Sequence, residues 1–522
     1  MAVDDNGRLL YVGDSEGVSA FKADAAVDLA GRTVTPGFIN GHSHIGVMVS
    51  TSAAKALRIP ESAPLEELRA FIDKHTSADP NPEYLALIGY NLTSLYGTYR
   101  HGKASDIDDV SHGVPVVMLS SDGHSTWINT PAIELFGYKE TVPESVLGSC
   151  EFDYICDEKG SRIGVTGYAN EGATVLFFNE KLPYCRPKNL EPLVAPVLDI
   201  YHKYGFTGVY EPGASRNLRK ILAKLDAEGK IDMYYEASRI AVRESDTLKE
   251  NIYRGKNFNM RTLKLFVDGT LALRTIALIE PYTDGSNYEP NLTEDELYEF
   301  MKDALANDCN IHVHAIGDRS QLEALRAFKR IQGIKPHLTR TIAHNRVNTY
   351  EALDLYESMK ENTFYNATPG WFVETPELRM YLGDKRADNN IFLMKQAIDR
   401  GVRCSIGEDF PASSIECLNP MLQLRYAVSR KAGDKIEDTP GVWLTFIGPE
   451  GSALTREDVL KCYTIWGAQQ LTIDDKTGSL EAGKYADFVI WSDDFRDESK
   501  VPDSELERVT AKEVYFQGRK VV

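Results

Sequence analysis

From about residue 205 onward, short apolar strands alternate with amphipathic helices, and few folds accommodate that rhythm. Phe206–Glu211, Met233–Ala237, Thr262–Val267, Asn310–His314, Arg340–His344, Phe364–Ala367 and Val402–Ile406 read as strands. The helices between them are marked by caps and stripes. Thr293 and Glu296 form a capping box, followed by Leu297, Phe300, Met301, Ala304 and Leu305 on one face. Adding the apolar run Val34–Asn40 gives eight strands, which predicts an α/β fold of the (β/α)8 TIM-barrel type.

About 160 residues separate the first strand from the second, far more than an ordinary crossover needs. The predicted organisation is therefore a barrel over 36–469 carrying a large insertion after strand 1, about 45–200. The insertion has its own strands, Tyr84–Tyr90 and Val114–Leu119, and is expected to rise above the barrel mouth. The chain ends, 1–35 and 470–522, are β-like and are expected to pair as a small β-sandwich that ties the termini down. Met1 leads almost directly into mid-sheet sequence, so a first strand is expected to be missing.

The composition excludes several functions. Acidic residues outnumber basic ones, 77 Asp and Glu against 58 Lys and Arg, which opposes nucleic acid or anionic lipid as a partner. No apolar run of some 18 residues exists to span a membrane. Seven scattered cysteines (Cys150, Cys156, Cys185, Cys309, Cys404, Cys417 and Cys462) read as free thiols in a reducing compartment. The N-terminus has neither a basic start nor an apolar core, so a cytoplasmic location is expected. The oligomeric state is left open, a homodimer included.

Function in such a barrel concentrates where strands end. His42, His44, Lys264, His314, His344 and Asp409 all fall at or next to predicted strand ends. His42 and His44 are two apart on an extended segment, so both imidazoles point to one side and can share an ion. Imidazole and carboxylate suit zinc, iron or manganese. Each residue also has a plainer reading. The His-x-His pair suits a polar loop, and Asp409 suits a polar cap before Pro411. Lys264 suits a salt-bridged barrel lysine with Asp268 as partner. His312, a layer below His314, reads as a hydrogen-bonded core histidine. Asp122-Gly123-His124 is either a turn or part of a substrate pocket. Arg274 either binds an anionic substrate group or pairs with Glu280. Tyr90, Trp127, Tyr168, Phe266 and Trp371 supply either aromatic walls or core.

Taken together these segments resemble the amidohydrolase superfamily, specifically amidohydrolase family 3 (the YtcJ-like branch). The resemblance rests on Thr35-Pro36-Gly37-Phe38 with His42 and His44, on Asp122-Gly123-His124-Ser125 with Trp127 and Asn129, and on Lys264 to Gly269. Val313 to Arg319, His344, Gly407-Glu408-Asp409 and the stretch from Gly478 to Asp487 complete it. It implies a metal-dependent hydrolase with two divalent ions, zinc being expected. His42, His44 and Asp409 would hold one, His314 and His344 the other, and Lys264, carboxylated by CO2, would bridge them. Asp409 would also act as general base, with His124, Asp122, Arg274 and Trp371 facing the small-molecule substrate. The implied reaction is attack of metal-bound hydroxide on a C–N bond, most directly an amide. An ester or lactone is the alternative, and a catalytically silent regulatory barrel is a third reading. The chain departs from the family at Glu408, at Asn366–Trp371 and at Tyr90-Asn91, all expected near the mouth.

Overall fold

The eight expected strands form one parallel sheet that curls into a barrel in the computed structural model. The structure describes residues 1–60, 62–78, 83–143, 151–171, 181–241, 252–373, 375–430 and 447–522. In chain order the strands are β1 (Phe38–Asn40), β2 (Phe206–Glu211), β3 (Tyr234–Ile240) and β4 (Phe258–Phe266). β5 (Asn310–Ala315), β6 (Arg340–His344), β7 (Thr363–Ala367) and β8 (Arg403–Ile406) follow. Each pairs with the next in parallel register. Closure runs through the loops beyond β1 and β8. Gly41 N donates to Ile406 O at 2.8 Å, and Asp409 N donates to His42 O at 3.0 Å.

Between β4 and β5 the helix Glu294–Ala306 starts at the expected capping box, with Thr293 and Glu296 bonding reciprocally. It buries Leu297, Met301, Ala304 and Leu305 against the barrel. Each of the larger apolar side chains contributes about 1.5–3 kcal/mol by leaving water. The same logic docks Asp318–Arg330 between β5 and β6, and Tyr350–Ser358 between β6 and β7.

Two strands differ from expectation for physical reasons. β4 begins four residues early because Asn259 and Arg261 disguise it. Its first half alternates buried and half-buried residues, and Arg261 reaches Glu236 and the Leu471 carbonyl. The run Val34–Asn40 serves two sheets. Phe38–Asn40 lies in the barrel, while Val34–Pro36 pairs antiparallel with Phe488–Trp491. That smaller sheet continues through Ala511–Phe516 to Arg519–Lys520. A ribbon of Ala2–Val3 and Leu9–Tyr11 joins it, with Leu9 N donating to Lys484 O and Ala486 N to Gly7 O. Both chain ends therefore meet.

Between β1 and β2, helices Ile45–Ala54 and Pro187–Lys203 pack into the barrel core through Ile45, Met48, Val49, Val194 and Leu198. These helices belong to the barrel layer, so the segment that leaves it is shorter than expected. It carries a six-stranded sheet ordered Leu57–Arg58, Leu85–Tyr90, Val116–Ser120, Ser125–Ile128, Arg162–Asn170, Glu151–Cys156. Tyr90, Trp127 and Tyr168 lie in this segment's own core with Leu87 and Met118, the core reading of the two they allowed.

Gly407, just past β8, packs directly on the His42 backbone. A Cβ built there would lie 2.4 Å from His42 O and 2.5 Å from His42 N. Gly407→Ala must therefore push β8 away from the β1 loop, and should destabilise the fold by about 1–3 kcal/mol as overpacking does. Urea denaturation measures this, and a wild-type midpoint would refute the close approach.

Candidate metal centre

The loop after β1 places two histidines on one side and a serine on the other. Ser43 points away from His42 and His44, and its hydroxyl donates to Glu408, which also accepts from the Asn40 amide and, at 3.1 Å, from Tyr201 Oη. Glu408 is buried, and burial pushes its carboxyl up to about 7. It therefore stands behind the histidine loop, which corrects the expectation that it lies near the mouth. Its neighbour Asp409 turns the opposite way, into the barrel axis.

There Asp409 meets three imidazoles. Its Oδ1 lies 3.3 Å from both His42 Nε2 and His44 Nε2, and its Oδ2 lies 3.5 Å from His344 Nδ1. Single ligand atoms of His42, His344 and Asp409 all lie within 4.8 Å of one another. His314 joins from β5, its ring 4.4 Å from that of His344. Two of these residues adopt left-handed backbone, His344 at φ 75° and Asp409 at φ 55°. For non-glycine residues that conformation costs about 1–3 kcal/mol each, and such strain clusters at functional sites.

The protonation pattern suits a cation. Burial, reinforced by Lys264, pushes His42 down to about 3, and burial pushes His314 and His344 well below the ordinary imidazole range. The rings are therefore neutral and carry lone pairs. Hydrogen bonds choose which nitrogen. His42 Nδ1 is 3.0 Å from His312 Nε2, which frees His42 Nε2 for the centre. His314 Nε2 is 3.0 Å from Gly269 O and donates to it, which leaves Nδ1. His42 Nε2, both nitrogens of His344 and Asp409 Oδ1 are buried without a hydrogen-bond partner among the described residues. Buried polar atoms are rarely left so, and a divalent cation satisfies His42 Nε2, Asp409 Oδ1 and one nitrogen of His344.

Lys264 lines the same cavity and is only 1% exposed. Burial pushes its ammonium down to about 7. Asp268 is not its partner: that carboxylate accepts the backbone N–H groups of Ala277, Ile316 and Gly317.

The cavity over the centre, about 610 Å³ including its solvent-open mouth, is lined on its apolar side by Val47, Pro212, Ile240 and Phe266. A vestibule of about 1140 Å³ adjoins it, bounded by Arg58, Asn91, Leu271, Ile316, Arg346 and Trp371. Asp122, His124 and His314 line both chambers. Asp122 accepts from Ser120 Oγ, His124 N and Thr270 Oγ1, so the Asp-Gly-His turn is pinned where it meets the cavity. Trp371 stacks on His344 at 5.5 Å. Arg274 lines neither chamber. Its guanidinium pairs with Asp284 at 2.5 Å and lies over Tyr282 and Tyr381, so both expectations for it fail, including the one that named Glu280. Glu171 was missed altogether. It is buried and 3.0 Å from His124 Nδ1, a pairing 47 residues apart that no sequence period announces.

Comparison with known proteins agrees with this geometry. Residues 25–522 match the amidohydrolase family. The exoenzymes regulatory protein AepA of Pectobacterium carotovorum subsp. carotovorum is 31% identical over 76% of this chain and 87% of its own. The N-substituted formamide deformylase of Arthrobacter pascens is 23% identical over 98% of this chain and 93% of its own. Among solved structures, an uncharacterized metal-dependent hydrolase from Pyrococcus furiosus shares the fold, with a TM-score of 0.66 at 22% identity over 93% of each chain.

His312 touches no cavity, yet it sets the ring of His42. His312→Phe keeps the volume and removes the hydrogen bond, and should weaken metal binding about 10–100-fold, the usual effect of losing a ligand's supporting partner. Competition with a chromophoric chelator measures it. Unchanged affinity in a folded variant would mean that His42 is oriented by its backbone alone.

Proposed function

The chain belongs to the amidohydrolase family and is a hydrolase, and on that premise we propose that it cleaves the amide C–N bond of a small molecule at two zinc ions. The carrying observation is the set of buried, unpartnered ligand atoms on His42, His344 and Asp409. In this reading His42, His44 and Asp409 would hold one ion, and His314 and His344 would hold the other. Lys264 would bridge them as a carbamate: neutral Nζ forms a bond to the carbon of CO2 and loses one proton, which yields a single negative charge shared by two oxygens. Its burial and the engagement of Asp268 elsewhere support that assignment.

When bound, such ions bring the pKa of water toward neutrality and polarise a carbonyl. The chain's own groups do the remaining work. Asp409 accepts the proton of the attacking water and delivers it to the departing nitrogen as the C–N bond breaks, so that one water yields a carboxylic acid and an amine. His124 and Asp122 border the substrate at the waist between the chambers, and Trp371 offers an aromatic wall in the vestibule. No helix among the described residues is long and apolar enough to cross a membrane. Six described cysteines are free, which supports a reducing, cytoplasmic setting, while Cys150 lies outside the described residues.

A regulatory barrel without catalysis is the second reading, favoured by the 31% identical relative, an exoenzymes regulatory protein. Retention of all six ligand residues favours the enzyme.

A panel of N-acyl amines, N-substituted formamides, cyclic amides, aryl esters and lactones tests the proposal. Amide hydrolysis should vanish on chelation and return with zinc. Asp409→Asn should lower kcat/KM by about 10²–10⁴-fold, the range for a lost proton-transfer group. Turnover confined to esters and lactones would overturn the amide assignment, and zinc-loaded protein inert on the whole panel would favour the regulatory reading.

A further inference from the structure

The structure assigns Glu171, a residue of the segment between β1 and β2, as a positioning residue that ties substrate-facing His124 to metal ligand His314. The inference rests on the two-metal reading above. Glu171 is 2% exposed, and each carboxylate oxygen has a distinct task. Oε2 accepts from His124 Nδ1 at 3.0 Å, which turns the opposite edge of that ring away from Glu171. His124 Nε2 has no hydrogen-bond partner among the described residues. Oε1 accepts from Thr275 Oγ1 at 2.7 Å.

The second contact bears on the metal centre through a backbone. Thr275 lies in the loop that follows β4, and Gly269 of that loop presents the carbonyl to which His314 Nε2 donates. Gly269 and Thr275 are joined directly, Gly269 N donating to Thr275 O at 3.0 Å, and Thr270 N donating to Thr275 Oγ1 at 2.9 Å. Glu171 packs against Gly269 so closely that a Cβ there would lie 1.9 Å from Oε1 and 2.1 Å from Thr275 Oγ1. One carboxylate thus holds the ring over the cavity and seats the carbonyl that selects the liganding nitrogen of His314. Rings of His124 and His314 lie 5.2 Å apart, so a shift of Glu171 moves both walls of the waist. Burial opposes a charged His124, and the Glu171 carboxylate more than offsets it, holding the imidazole up at about 9. The placement rests on the contacts alone.

Metal-stripped protein titrated with zinc alone, against a chromophoric chelator, tests the assignment without reference to turnover. Glu171→Ala should weaken the second equivalent about 10–100-fold, as loss of a ligand's supporting shell does, and leave the first equivalent near wild type. Glu171→Gln keeps an acceptor and a similar volume, and should recover most of that loss. A folded Glu171→Ala protein that binds both equivalents as wild type does would overturn the inference. If that variant does not fold, Thr275→Val decides: a weakened second equivalent supports the tie, and an unchanged one overturns it. Failure of the underlying reading is separate, because it appears in the wild-type curve as uptake of one equivalent or none.

Discussion

The hydrogen bonds that close the barrel also assemble its centre. Gly41 N meets Ile406 O, and Asp409 N meets His42 O, so the β1 and β8 loops are stitched at the residues that carry His42 and Asp409. Gly407 admits this approach because it has no side chain, and Glu408 locks it from behind through Asn40, Ser43 and Tyr201. Separation of β8 from β1 would divide the ligands between two loops. The left-handed backbone at His344 and Asp409 is held by the same closed ring. Buried, neutral imidazoles around one carboxylate are costly without a cation, so the barrel stores in its geometry an affinity for metal.

The barrel was legible because its strands are apolar, short and regularly spaced, and because the candidate ligands other than Lys264, which lies within β4, fall at or just past the ends of such runs. β4 was read short because Asn259 and Arg261 look like loop, although their side chains face the half-buried side. The run Val34–Asn40 divides between two sheets at Gly37, just past the boundary expected after residue 35. Arg274 shows the limit of proximity in sequence: its partner is Asp284, ten residues away, and not Glu280, six away. Glu171, and the placement of Glu408 behind the histidine loop, escaped for a related reason. Their partners lie 47 and more than 200 residues distant, and long-range pairing of a buried carboxylate leaves no periodic trace.

The segment between β1 and β2 carries its own hydrophobic cores and contributes only a few atoms to the cavity. Those atoms sit at the waist, on Asp122 and His124, and are fixed by hydrogen bonds to barrel residues Thr270 and Thr275 through Asp122 and Glu171. In the proposed reading, substrate recognition is thereby separated from the metal ligands in sequence and rejoined to them in space, with Arg58, Asn91 and Trp371 bounding the vestibule.

A crystal structure of zinc-loaded protein, refined at a resolution that distinguishes a carbamate from an ammonium, tests the central claim most directly. The account predicts two ions about 3.5–4 Å apart, the spacing of paired hydrolytic metals. Density beyond Lys264 Nζ should bridge them, with His42, His44 and Asp409 on one side and His314 and His344 on the other. A single ion, or a plain ammonium at Lys264 facing two ions, would contradict it.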